Sequence, residues 1–206
     1  VHPKGHPLAA AEQHLRKVDS QLDRAIVRYG PCSLSGRAHS YFHILIRTII
    51  EQQLSVKAAQ SIANKFLLRL PGNEFDASLI IALSPDDMRS CGLSNAKVRY
   101  IRGIAKAVVD GELSLSALES IEDRRVLECL MQYPGIGLWT AEVFLMFALG
   151  RLDVLPLGDL VLRNAIKYYY DLDQGAEKQC YLDIAEPWRP YRSVASWYLW
   201  AMLENN

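Results

Sequence analysis

The chain has 206 residues and no formal net charge, because 23 lysines and arginines balance 23 aspartates and glutamates. Half of the residues are apolar, which predicts a folded core, and the absence of any run of about 18 apolar residues argues against a membrane span. The balanced charge excludes a basic surface over the whole molecule, so any contact with a polyanion must be local. Without an apolar signal region at the start, we expect a protein of the cytoplasm or nucleus.

Helical periodicity runs through most of the chain, and the alternation typical of strands is nearly absent. In chain order, the predicted helices cover residues 8–29, 39–53, 55–70, 84–91, 94–110, 121–131, 138–149, 159–170, 176–185 and 190–203. Serines in N-cap positions begin four of them: Ser55, Ser84, Ser94 and Ser120. The pattern predicts an all-α protein with nine or ten helices.

The four cysteines, Cys32, Cys91, Cys129 and Cys180, are widely spaced. Because they form no C-x-x-C pair, we do not expect a zinc or iron–sulfur site. We expect reduced thiols, most of them buried.

Two glycines follow a proline in Y-P-G-I-G-L-W-T-A, residues 133–141, between two predicted helices. Gly135 and Gly137 can adopt positive φ and let another backbone approach, while Ile136 can pack down between the helices. The second helix would begin with backbone N–H groups that lack an intrahelical acceptor, and such groups bind anions. The pattern is equally consistent with a compact αα-hairpin that binds nothing.

Asp159 follows Pro156 and Gly158 and precedes another apolar helical pattern. An aspartate in this position is most often only an N-cap. It can also act as a functional anion, because the positive end of the helix dipole favours its ionised form.

Four ordered segments resemble the helix–hairpin–helix (HhH-GPD) DNA glycosylases, enzymes of base excision repair. The segments are I-I-E-Q-Q-L-S-V-K-A-A (49–59), C-G-L-S-N-A-K-V-R-Y-I (91–101), L-M-Q-Y-P-G-I-G-L-W-T-A (130–141) with L-P-L-G-D (155–159), and W-R-P-Y-R-S-V-A-S-W-Y-L-W (188–200). Within that family they are similar to the alkylation-repair branch, the 3-methyladenine DNA glycosylase II type.

The resemblance implies two helical subdomains with the active-site cleft between them. Residues 36–150 would form a central bundle that contains the helix–hairpin–helix, 126–149, and residues 1–35 with 151–206 would form the second subdomain. We also expect a monomer.

The resemblance also implies roles for individual residues. Asp159 matches the catalytic aspartate, Trp139 and Trp200 match aromatic walls of the base pocket, and Gln53 matches the side chain that enters the DNA stack. The residues expected to bind DNA phosphates are Gly135, Gly137, Thr140 and Lys57. The backbone carbonyls expected to hold a structural Na⁺ or K⁺ are those of Met131, Tyr133 and Ile136. Further basic candidates for phosphate contacts are Lys97, Arg99, Arg102, Arg163 and Arg192.

Trp139 stands where the strand-cutting relatives carry a lysine that forms a Schiff base. The resemblance therefore implies a monofunctional glycosylase without lyase activity, which needs no cofactor for catalysis and acts on alkylated bases in double-stranded DNA. Two alternatives stay open: a non-catalytic module that binds damaged DNA, and a helical interaction protein whose hairpin is purely structural. The lesion also stays open among 3-methyladenine, 7-methylguanine, ethenoadenine and hypoxanthine.

Overall fold

The computed structural model describes residues 8–34 and 40–204. Twelve α-helices and three 3-10 turns make up its regular structure, and the described residues contain no strand, so the all-α prediction is confirmed. The α-helices are α1 Ala9–Val18, α2 Ser20–Tyr29, α3 Tyr41–Glu51, α4 Val56–Leu67, α5 Ala77–Ala82, α6 Pro85–Ser90, α7 Asn95–Val109, α8 Asp123–Leu130, α9 Leu138–Phe147, α10 Leu160–Tyr169, α11 Lys178–Ala185 and α12 Arg192–Glu204. Within the described ranges, no helix has both the length and the apolar character to cross a membrane.

The chain divides into two compact units. The central unit is Arg37–Leu149, and the terminal unit joins Val1–Gly36 to Gly150–Asn206. In the central unit, α3 packs against α4, α7 and α9, and its Leu45, Ile46, Ile49 and Ile50 are fully buried. In the terminal unit, α12 packs against α1, α2 and α10 through residues such as Val194 and Leu199. Each unit is thus built around one apolar helix.

Local capping chemistry sets several helix starts where the sequence predicts them. The hydroxyls of Ser55, Ser84 and Ser94 accept hydrogen bonds from backbone amides in the first turns of α4, α6 and α7. Ser120 is an exception, because its hydroxyl donates to the carbonyl of Ala117 and α8 begins later, at Asp123.

The helix predicted over residues 8–29 is two helices in the structure. Asp19 has extended backbone angles, and its Oδ1 accepts from the amides of Gln21 and Leu22, so it ends α1 and caps α2. The apolar spacing continues across this break and therefore hides it. All four cysteines are free, but only Cys32 and Cys91 are buried.

Candidate functional site

The hairpin turn between α8 and α9 uses its two glycines differently. Gly135 has φ +91°, and a Cβ there would lie 2.3 Å from Cγ of Tyr100, so the turn requires glycine at this position. Gly137 has φ −93°, and a Cβ there would meet no heavy atom within 4 Å. The expectation of positive φ is therefore right for Gly135 and wrong for Gly137, whose missing side chain instead leaves open space.

The start of α9 has the features of an anion site. Gly137 is the N-cap, and no side chain makes a capping hydrogen bond there, so the first amides of α9 point out of the helix beside the positive end of its dipole. Ile136 is buried, as expected for a residue that anchors the turn. Thr140 is only 1% exposed and its Oγ1 accepts from Gln52. The predicted phosphate contact of Thr140 therefore cannot use its hydroxyl and is restricted to the backbone amide.

Gln53 lies in a tight turn after α3 and not in the helix predicted over residues 39–53. The amide of Leu54 donates to the carbonyl of Glu51 over 3.2 Å, and Gln52 has φ −49° and ψ 126°. Gln53 follows with φ 57°. These angles fit a type II β-turn, which favours glycine where Gln53 stands. The exposed Gln53 side chain is thus presented by a left-handed backbone that costs roughly 1–2 kcal/mol for a residue with a Cβ.

The side chains of Gln52 and Lys97 attach the turn of Gln53 to neighbouring segments, a role that no sequence motif predicts. Nε2 of Gln52 donates to the carbonyl of Gly135 and to Oγ1 of Thr140, both over 2.8 Å. Nζ of Lys97 donates to the carbonyls of Ile50 and Gln52 over 2.7 and 2.8 Å, and burial lowers the pKa of its ammonium group. Two of the three N–H donors of Lys97 are therefore committed to the end of α3, and the expected phosphate contact of Lys97 could use only the third.

Three more of the basic candidates are also committed to protein groups. Arg102 donates to the carbonyl of Leu83, Arg163 to that of Leu157, and Arg192 to the carboxylate of Asp153. Lys57 and Arg99 are the exposed members of the set. A basic surface for DNA is therefore smaller than the sequence suggested.

Asp159 caps α10 and accepts hydrogen bonds from a backbone amide and an indole. Its Oδ1 accepts from the amide of Leu162 over 2.7 Å and from Nε1 of Trp200 over 3.2 Å. Both Asp159 and Trp200 are half-buried, and Leu160 next to the aspartate is 61% exposed. The structure thus joins two predicted site residues within the terminal unit and fixes one carboxylate oxygen.

The remaining predicted site residues lie around the hairpin. Trp139 is the second residue of α9 and is half-buried. Met131 is the C-cap of α8, so its carbonyl is one of those at the helix end without an intrahelical donor. The carbonyl of Tyr133 accepts from the amide of Ile136 over 3.1 Å and keeps one lone pair. Such neutral oxygens suit a hard cation of low charge, and no group of three His, Cys, Asp or Glu side chains in the described residues competes as a metal site.

The chain is similar over most of its length to known DNA repair proteins. Residues 46–190 match the family model of the HhH-GPD superfamily base excision DNA repair proteins. In Schizosaccharomyces pombe, the alkylbase DNA glycosidase-like protein mag2 is 32% identical, with 92% of this chain and 91% of that protein covered. The DNA-3-methyladenine glycosylase 1 of the same organism is 34% identical over 94% of this chain and 86% of its own. The solved structure of S. pombe 3-methyladenine DNA glycosylase (Mag1) with abasic DNA superposes with a TM-score of 0.85 at 32% identity, and covers 95% of this chain and 97% of that one.

Proposed function

The chain belongs to the HhH-GPD superfamily of base excision DNA repair proteins, and we propose that it is a monofunctional DNA N-glycosylase for alkylated bases. Relatives named as 3-methyladenine DNA glycosylases, aligned over nearly the whole chain, support this activity. The observation that carries it is the carboxylate of Asp159, held at the start of α10 by the amide of Leu162 and the indole of Trp200.

A single carboxylate is enough for this chemistry when the leaving base is already cationic. Glycosidic hydrolysis commonly uses two carboxylates, one of which protonates the leaving group. A purine alkylated at N3 or N7 carries positive charge and departs without a proton donor. Asp159 then has to stabilise the developing positive charge on the sugar and orient the attacking water, which a preorganised anion at a helix N-terminus can do.

The other predicted site residues would recognise the base and bind the DNA. The rings of Trp139 and Trp200 would face the cationic base, with a cation–π contribution of about 0.5–2 kcal/mol. Gln53 would fill the gap left by the flipped nucleotide, whose extrusion costs a few kcal/mol.

Phosphates would contact the amides at Gly135, Gly137 and Thr140 and the ammonium group of Lys57. A Na⁺ or K⁺ held by the carbonyls of Met131, Tyr133 and Ile136 would add positive charge to the hairpin. Because only Lys57 and Arg99 of the six basic candidates are exposed, binding should depend on a small number of phosphate contacts and weaken with salt accordingly. The protein would act as a monomer.

Mass spectrometry of bases released from methylated DNA tests the proposal directly. We expect free 3-methyladenine or 7-methylguanine in the supernatant, with the DNA backbone intact at the resulting abasic sites. Binding to abasic duplex without any released base would instead support a non-catalytic damage-binding module. Strand cleavage, or a protein–DNA adduct trapped by borohydride, would contradict the monofunctional assignment.

A further inference from the structure

The side chain of Gln52 fastens the turn that carries Gln53 to the hairpin. Both hydrogens of the Gln52 amide are used, one on the carbonyl of Gly135 and one on Oγ1 of Thr140. These acceptors lie on opposite sides of the Gly137 N-cap, one in the turn and one in the first helical turn of α9. Gln52 therefore spans the segment whose amides are exposed.

Helix α7 supports both sides of this connection. Its Lys97 donates to the carbonyls of Ile50 and Gln52 and so closes the C-terminal end of α3. One turn later, the ring of Tyr100 fills the space beside Gly135 that a side chain would otherwise occupy. The end of α3, the turn of Gln53 and the hairpin are thus held against one another through α7 and Gln52.

We infer that Gln52 is a positioning residue, which makes the Gln53 turn and the phosphate-binding amides of the hairpin engage DNA as one rigid unit. The inference rests on the proposed function. Gln53 has a left-handed backbone that it would not adopt by preference, so its direction depends on the contacts on either side of it. Gln52 supplies those contacts, and Lys97 fixes its main chain. Losing them would let the turn relax and separate insertion of Gln53 from phosphate binding.

Gln52→Met, which keeps the length of the side chain and removes both donors, tests this inference. Gln179→Met is the matched control, because the Gln179 amide donates only to exposed Asp183 on α11. On 7-methylguanine paired with cytosine, single-turnover release by Gln52→Met should slow about tenfold, the loss expected from two ordinary hydrogen bonds. When the lesion lies opposite an abasic site, flipping it out of the duplex costs little free energy. On that substrate the rate of base release by Gln52→Met should fall less than about threefold. An equal loss on both substrates would indicate general structural damage and overturn the inference.

A double-mutant cycle separates action through Gln53 from an independent effect. If Gln52 acts by holding Gln53, the double variant Gln52→Met/Gln53→Ala should be within about twofold of the slower single variant. If the reductions in release rate of the two single variants instead multiply, to on the order of a hundredfold in the double variant, the inference is overturned. Should Gln52→Met fail to fold, Lys97→Met gives the same test, because it removes the hydrogen bonds to the carbonyls of Ile50 and Gln52.

Binding to a duplex that contains an abasic analogue is measured on the same variants, so the inference does not depend on base release. If the parental protein binds this duplex but releases no base, the proposed function fails. The inference still holds in that case if Gln52→Met and Gln53→Ala weaken binding non-additively. Unchanged binding in Gln52→Met would overturn the inference alone.

Discussion

The indole Nε1 of Trp200 donates to Oδ1 of Asp159 over 3.2 Å, although 41 residues separate the two in the chain. A similar pair occurs elsewhere in the terminal unit, where Nε1 of Trp188 donates to Oδ2 of the α2 cap, Asp19, over 2.8 Å. Asp19 also accepts from the hydroxyl of Tyr170 at 2.8 Å, and Trp188 is fully buried. The two tryptophans therefore differ: Trp188 belongs to the core, whereas Trp200 is half-buried and belongs to the proposed active site.

Asp159→Asn should abolish base release while leaving the fold and DNA binding intact. Asparagine caps helices about as well as aspartate, so the hydrogen bond from the amide of Leu162 can persist while the charge is lost. We expect release of 7-methylguanine to fall at least about a hundredfold, with parental affinity for abasic duplex. Asp76→Asn, at the exposed cap of α5, is the control and should keep full activity. Release at the parental rate by Asp159→Asn would refute the catalytic assignment.

Trp200→Phe should separate the hydrogen bond to Asp159 from the aromatic surface of the ring. Removing one donor to a charged acceptor should slow release about tenfold, whereas Trp200→Ala, which also removes the ring, should slow it more. The matched variant Trp188→Phe should lower the free energy of unfolding by about 1–3 kcal/mol, since it leaves the half-buried carboxylate of Asp19 with one donor fewer. Its rate per folded molecule should not change. Equal rates for Trp200→Phe and the parental protein would show that the hydrogen bond has no catalytic role.

The two hairpin glycines should respond differently to alanine. Gly135→Ala combines positive φ with a clash against Tyr100, so we expect a loss of about 1–3 kcal/mol in the free energy of unfolding. Gly137→Ala has open space and an ordinary φ, so its stability should change by less than about 1 kcal/mol. Its Cβ would nevertheless stand beside the exposed amides and weaken binding to abasic duplex. Thermal unfolding and fluorescence anisotropy measure the two effects, and unchanged binding by Gly137→Ala would favour a purely structural hairpin.

Gln53→Gly should stabilise the protein and impair it at the same time. Glycine removes the penalty of the left-handed backbone at this turn position, a gain of about 1 kcal/mol in the free energy of unfolding, although glycine also loses more entropy on folding. The side chain that enters the stack is lost, so base release from paired DNA should slow. Thermal unfolding and single-turnover release on the same preparation check both effects. A fall in stability together with full activity would contradict the proposed role of Gln53.

Features that depend on neighbouring residues could be predicted from the sequence alone. The serine caps of α4, α6 and α7 and the aspartate cap of α10 follow from bonds that close within three residues, and the structure confirms them. Periodicity predicted an all-helical chain for the same reason. It missed the break at Asp19 because the apolar spacing continues through it, and it included Gln53 in α3 although the helix ends at Glu51.

The hydrogen bonds between residues distant in the chain could not be predicted and depend on how the helices pack. Gln52 bonds to a hairpin 83 residues away, Trp200 bonds to Asp159 across 41 residues, and Lys97 donates to carbonyls 45 and 47 residues earlier. No local pattern distinguishes a lysine that binds phosphate from one that closes a helix end. The hydrogen bonds available to each side chain depend on which elements pack beside it, and that packing is set by the apolar faces of distant helices.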